Sequence, residues 1–223
     1  MISRSEIQKI TSNYTGLRIG VLGSHSALEI MDGAKDEGLE TIVFCQKGRE
    51  TPYQRFGRIA DEIIILKKFN EMSAAKNQKM LRDTNTIIVP HRSLTAYLGY
   101  KIIENTLKVP IFGNRALFQA EERGNKKNQY YLLEKAGIEH PKIFKNPKDI
   151  NKPSIVKVQE KKRNLERAFF NVSSFSDYKK KSEEKIKQGV ISKSDLQNAT
   201  IEEFAIGTYL NFNYFYTPIS DNV

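Results

Sequence analysis

The feature that most constrains this chain is an alternation in its first 120 residues, where short apolar runs of strand length are separated by stretches of helical period. The runs are Leu17–Leu22, Thr41–Cys45, Glu62–Leu66, Thr86–Val89 and a short Val109–Phe112. Between the first two lies SALEIMDGAKDEG, in which Leu28, Met31 and Ala34 recur at helical spacing and Gly38 stands where a helix would close. Parallel strands need crossover connections of this kind, so the pattern predicts βαβ units on an open parallel sheet. The expected class is α/β.

The loop after each strand then becomes informative, because in an open parallel sheet all of these loops gather at the carboxyl edge, where ligands bind. They read Gly23-Ser24-His25-Ser26, Gln46-Lys47-Gly48-Arg49, Pro90-His91-Arg92-Ser93 and Gly113-Asn114-Arg115. Two of the three histidines fall at this edge, which favours a site there. The Gly23–Ser26 loop offers a hydroxyl, an imidazole and backbone N–H groups at a helix start, a combination that suits a phosphate. Ser24 or Ser26 acting only as a helix cap is an equal reading. Ser93 poses the same choice before the next helix.

From about Glu121 the pattern changes, which divides the chain into residues 1–120 and 121–223. EERGNKKNQYYLLEKAGIEHP predicts one amphipathic helix ending at Gly137, with Pro141 beyond it. A strand Ser154–Val158, a polar loop Gln159–Glu166, a strand Ala168–Val172, a helix near Asp177–Gln188, a short helix opened by Ser192 or Ser194, and strands Thr200–Ile206 and Tyr209–Thr217 follow. This second part reads as α+β and mostly antiparallel. Lys157 leaves a buried strand and suits a nucleotide phosphate, although a lysine facing water fits equally. Glu202 and Glu203 lie within an apolar strand, and because burying an unpaired carboxylate is costly, one of them should have a partner. His140 reads as surface structure, Cys45 as a small core residue, and Tyr130 and Tyr131 as core packing on a helix.

Composition closes off several classes. A single cysteine excludes an internal disulfide and a cysteine-clustered zinc site. No apolar run approaches the roughly 18 residues of a membrane span, and the N-terminus lacks the apolar core of a signal peptide, so a cytoplasmic location is expected. The net charge of +10 is spread evenly, with 17 Lys+Arg against 12 Asp+Glu in residues 1–120 and 19 against 14 in the rest. Without a basic tail or a nucleic-acid-binding signature, the excess suits ATP and a sugar phosphate better than nucleic acid. No Ser-His-Asp arrangement, metal-ligand spacing or Walker-type loop is present.

The blocks LGSHSALEIMDGAKDEG, CQKGRETPYQRF, IIVPHRSLTAYLG, VPIFGNR and IEEFAIGTYLNFNYFYTP, in this order, closely resemble the archaeal formate-dependent 5-formaminoimidazole-4-carboxamide ribonucleotide (FAICAR) synthetases, across essentially all 223 residues. The resemblance implies a Rossmann-like pre-ATP-grasp domain over 1–120 and the first, incomplete part of an ATP-grasp domain over 121–223. It also implies an ATP- and formate-dependent ligase of purine biosynthesis that formylates the aminoimidazole carboxamide ribonucleotide (AICAR), with ADP and phosphate released. The implied ribonucleotide contacts are His25 and Ser93, with Ser24, Arg49 and Arg115 beside them. For ATP they are Lys157 and Arg163 on the phosphates and Glu202, Glu203, Phe204 and Ala205 facing adenine. Mg2+ or Mn2+ is expected, held by residues beyond Val223, so that the 223-residue chain would bind ligand without catalysing. The expected partners are AICAR, formate and ATP, with no nucleic acid and no membrane; a homo-oligomer is compatible with the sequence and not fixed by it.

Two departures stand out from that family's pattern. The loop after the lysine strand, residues 158–167, contains no glycine, and Arg92 stands where a glycine is common. The first motivates an alternative, a paralogue that binds nucleotide or ribonucleotide without catalysis.

Overall fold

A computed structural model describes residues 1–121, 125–158 and 168–210. The chain divides into two compact units, Met1–Glu122 and Arg123–Val223.

In unit 1, β1 (Arg18–Leu22), β2 (Glu40–Gln46), β3 (Glu62–Leu66) and β4 (Thr86–Ile88) form a parallel sheet in the order β3-β2-β1-β4. The crossovers carry α2 (Ala27–Asp36), α3 (Thr51–Arg55) and α4 (Ala75–Asp83), after an N-terminal α1 (Arg4–Thr11). Two clusters sandwich the sheet. Leu22, Ile42, Phe44, Leu81, Ile88, Leu94 and Ile103 belong to one, and Val21, Ala27, Met31, Val43 and Cys45 to the other. Adjacent residues of one strand fall in different clusters, as the two-residue side-chain period requires of a sheet covered on both faces.

The expected strand Val109–Phe112 is a correction: only Ile111 makes a bridge, parallel to Ile88. The carbonyl of Pro110 accepts from Ile88 N–H and the N–H of Phe112 donates to Ile88 O. Pro110 has no N–H to extend the ladder, and Gly113 turns the chain away at φ 87°. Beyond β4 come α5 (Arg92–Leu98) and α6 (Tyr100–Asn105).

Gly23, directly after β1, illustrates how closely the elements approach. A Cβ there would lie 2.8 Å from Cys45 Sγ and 3.1 Å from the carbonyl oxygen of Phe44. Only glycine fits without displacing β2.

Unit 2 holds an antiparallel sheet in the order β5-β8-β6-β7, from β5 (Ile143–Phe144), β6 (Ser154–Lys157), β7 (Phe170–Val172) and β8 (Thr200–Glu203). One face packs Phe144, Val156, Phe170, Val172 and Ile201 into a core with Tyr178 and Ile186 of α8 (Phe175–Lys187) and Leu196 of α9 (Lys193–Gln197). Ser192 opens α9 with a reciprocal cap to Asp195.

Two sequence expectations are corrected here. The helix expected from Glu121 is α7, Gln129–Lys135, because the Asn128 side chain accepts from Tyr131 N–H and so fixes its start. The strand expected to reach Ile206 stops at Glu203, where its partner strand runs out: Pro153 precedes Ser154 and cannot donate to a continued ladder. The further strand Tyr209–Thr217 falls largely outside the described residues.

Candidate functional site

In unit 1 the strand order reverses between β1, whose crossover leads to β2 on one side, and β4, which pairs with β1 on its other side. The crevice outside their carboxyl ends is where open α/β sheets bind ligands. The loops at that point are Gly23–Ser26 and Pro90–Ser93, and their histidine rings stack with centroids 6.1 Å apart and planes 21° apart.

His91 is fixed by the backbone at both ring nitrogens. Nε2 lies 2.8 Å from the carbonyl oxygen of Leu22, and Nδ1 accepts the N–H of Ser93 at 3.3 Å. A carbonyl can only accept, so the proton sits on Nε2 and the lone pair on Nδ1. Burial lowers the pKa of His91 from its ordinary 6.5, with the Leu22 carbonyl opposing and the His25 charge reinforcing the shift. The imidazole is thus a strut between the two loops and the N-cap of α5. Ser93, which the sequence offered as that cap, instead lies buried at the second helical position.

His25 is exposed and adopts φ 43°, in the left-handed region that a histidine seldom visits. Its Nδ1 is 2.6 Å from Ser26 Oγ. Ser26 therefore spends its hydroxyl on the imidazole rather than on α2, whose N-terminus has no side-chain cap. Ser24 is held by backbone bonds alone, its N–H donating to Leu22 O and its carbonyl accepting from Ala27 N–H. The result is a ten-residue helix with an uncapped N-terminus beside an exposed imidazole. That arrangement can receive an anion.

The two expected arginines diverge. Arg49 is exposed in the loop after β2, its guanidinium donating to Tyr97 Oη at 3.2 Å and lying 5.6 Å from the centroid of the Phe69 ring. Arg115 is turned into the fold instead. It donates through Nη1 to the carbonyls of Ile103 and Leu107 and through Nη2 to that of Val109, and burial lowers its pKa. Its fork closes the end of α6 onto the following segment, which is a structural use of donors that the resemblance placed beside the ribonucleotide.

In unit 2, Lys157 ends β6 and Glu202 lies in β8. Lys157 pairs with Thr200 and Ile155 with Glu202, so Lys157 and Glu202 are diagonal neighbours on the face opposite the core. The Lys157 ammonium bonds Glu202 Oε1, and the Tyr130 hydroxyl of α7 donates to Glu202 Oε2. Glu203, on the other face, is paired with Lys152 at 2.9 Å. Both acids therefore have partners, as the cost of burial required for Glu202. The segment that follows carries half-buried Phe204, whose N–H donates to Pro153 O, and exposed Ala205. Arg163 and the loop around it lie outside the described residues.

Tyr130 is the group that sequence reading missed. Its helical position and apolar neighbours signalled packing, and it is buried, but nothing local could show that its hydroxyl meets a carboxylate 72 residues away. His140 packs its ring against Tyr130 with centroids 5.6 Å apart. Cys45 is buried with its thiol pushed up to about 12 by burial, which suits a core residue and not a nucleophile. Among the described residues no three His, Cys, Asp or Glu side chains gather to hold a metal ion, and no helix is long and apolar enough to cross a membrane.

Comparison with known proteins places these two clusters in context. Residues 19–144 match a family model described as "Protein of unknown function (DUF1246)", and residues 177–223 match a "Domain of unknown function (DUF1297)". A curated relative from Methanopyrus kandleri, named 5-formaminoimidazole-4-carboxamide-1-(beta)-D-ribofuranosyl 5'-monophosphate synthetase, is 43% identical over all of this chain and 61% of its own length. A crystal structure of an IMP biosynthesis protein PurP from Thermococcus kodakaraensis superimposes with a TM-score of 0.54 at 22% identity, covering 85% of this chain and 50% of that one. The biotin carboxylase domain of the Hydrogenobacter thermophilus 2-oxoglutarate carboxylase, solved with MgADP, ADP and bicarbonate, does so at 0.56 and 12% identity, covering 86% and 45%. At these identities the likeness speaks for the fold alone, a mixed α/β architecture that contains a parallel sheet. The chain spans about 61% of the length of the curated relatives it matches, and with the DUF1246 model matching more than half of it, the chain belongs to the DUF1246 family.

Proposed function

We propose that this chain supplies the ribonucleotide-binding and ATP-phosphate-binding parts of an ATP- and formate-dependent ligase that formylates AICAR to FAICAR. The observation that carries the proposal is the switch point of unit 1, an uncapped helix N-terminus beside His25, in a chain whose relatives bear that synthetase name. In the reaction, ATP phosphorylates formate, the amine nitrogen of AICAR attacks the formyl carbon, the carbon–oxygen bond to phosphate breaks, and phosphate leaves beside ADP. The domain division assigned to the two halves, 1–120 for the ribonucleotide and 121–223 for ATP, follows from the same reading.

Each cluster has a definite part. In unit 1 the α2 amides and His25 bind the 5'-phosphate side of AICAR, His91 holds the two loops together, and exposed Arg49 adds a guanidinium suited to bidentate phosphate contact. Ser24 and Ser93 lie in the same two loops. In unit 2 the Lys157 ammonium meets the ATP phosphates and the Glu202 to Ala205 strand end borders adenine. A divalent cation would neutralise the phosphate charge during transfer. The described residues offer no His, Cys, Asp or Glu cluster that fits one.

The test is binding measured by titration calorimetry. His25→Ala should weaken AICAR and leave MgATP affinity nearly intact, and Lys157→Ala should do the reverse. Equal losses of both ligands in both variants, or wild-type affinity in both, would overturn the assignment.

A further inference from the structure

The cluster around Glu202 carries a consequence beyond the assignment of Lys157. A glutamate carboxylate turns on a broad, roughly two-fold terminal torsion, so one partner alone sets its plane loosely. Here it has two, one on each oxygen. The second comes from a rigid donor: Tyr130 is 7% exposed, its ring lies against His140, and its helix begins where the Asn128 cap places it. Ile155 and Ile143 flank Glu202 from the neighbouring strands.

We propose that Tyr130 is a positioning residue for nucleotide phosphate binding: its hydroxyl, by occupying Glu202 Oε2, orients the carboxylate so that Oε1 holds the Lys157 ammonium at the end of β6 with two N–H donors left for a phosphate. An ammonium carries three donors, and one goes to Oε1. The Lys157 side chain is 20% exposed and that of Glu202 7%, so the acid is the more deeply held partner and the lysine is the one that keeps access to solvent. The inference rests on the reading of Lys157 as the phosphate-binding lysine.

A purely structural Tyr130 would also satisfy the buried carboxylate, and a double-mutant cycle separates the two roles. MgATP is titrated into the wild-type chain, Tyr130→Phe, Lys157→Ala and the double variant, with thermal unfolding followed in parallel. A hydrogen bond to a charged group is worth about ten- to a hundredfold, and because Tyr130 acts on the nucleotide only through Lys157, Tyr130→Phe should pass on part of that and raise the Kd about three- to tenfold. In the Lys157→Ala background the same change should add nothing, because the group through which Tyr130 acts is gone. A wild-type Kd in Tyr130→Phe, or the same fold-loss with and without Lys157, overturns the positioning role while leaving the lysine reading intact. Wild-type affinity in Lys157→Ala, or no MgATP binding by the wild-type chain, overturns the lysine reading and the inference together. Should Tyr130→Phe fail to fold, Glu202→Gln, which keeps the side-chain shape and removes the anionic partner of Lys157, carries the same cycle.

Discussion

Replacing His91 tests the two-loop strut directly, because its two ring nitrogens do different work. In His91→Ala the N-cap of α5 is lost, worth about 1 kcal/mol. The bond to Leu22 O disappears as well, for about another 1 kcal/mol, a modest figure because that carbonyl still accepts from Ser24 N–H. The sum, about 2 kcal/mol, should be halved in His91→Asn, since asparagine is a strong cap but too short to reach Leu22. The pH dependence has a definite sign. Burial lowers the folded-state pKa below 6.5, so the unfolded chain binds the proton more readily. Protonation would also put a second N–H against the Ser93 N–H. The stabilisation is therefore complete above the unfolded value and is lost as pH falls through and below 6.5. Urea unfolding followed by far-UV circular dichroism at pH 7.5 and 5.5 measures it, and the gap between wild type and His91→Asn should narrow at the lower pH. Equal destabilisation by Ala and Asn, or a gap independent of pH, would refute the assignment of tautomer and role.

Three further outcomes are expected. Gly23→Ala drives a Cβ to 2.8 Å from Cys45 Sγ and should cost about 1–3 kcal/mol, with part recovered when Cys45→Ala is added; a neutral Gly23→Ala in chemical denaturation would contradict the close approach. Arg115→Met strips donors from three backbone carbonyls and should lower stability by about 2–4 kcal/mol, whereas Arg49→Ala, on an exposed side chain, should stay within about 0.5 kcal/mol and show its effect in AICAR titration instead. Cys45, with its thiol at about 12, should resist a disulfide reagent at pH 8 in the native chain and react promptly in urea; rapid native reaction would show that the strand end opens.

What the sequence determined is what local periodicity and loop chemistry can encode. The parallel strands were legible because runs such as Thr41–Cys45 are apolar on both faces and the intervening stretch holds a helical stripe. The carboxyl-edge loops followed from chain direction alone. The demand that a buried acid in β8 find a partner also came from the residues, since an unpaired carboxylate is expensive wherever it is buried. Side-chain identity at the site could not reveal how each donor is spent. Arg49 and Arg115 both stand in loops that the sequence places at the carboxyl edge, yet one guanidinium reaches the surface and the other three carbonyls, because the end of α6 lies within reach of Arg115 only once the chain has folded back. The imidazole of His91 became a strut when β1 and β4 came side by side, which sheet order decides. Lys157, Glu202 and Tyr130 meet through an antiparallel register and a helix laid over it, contacts separated by 45 and 72 residues. Propensity and pattern act over a few residues, whereas the pairing of donors with acceptors is settled by which elements the tertiary fold brings together.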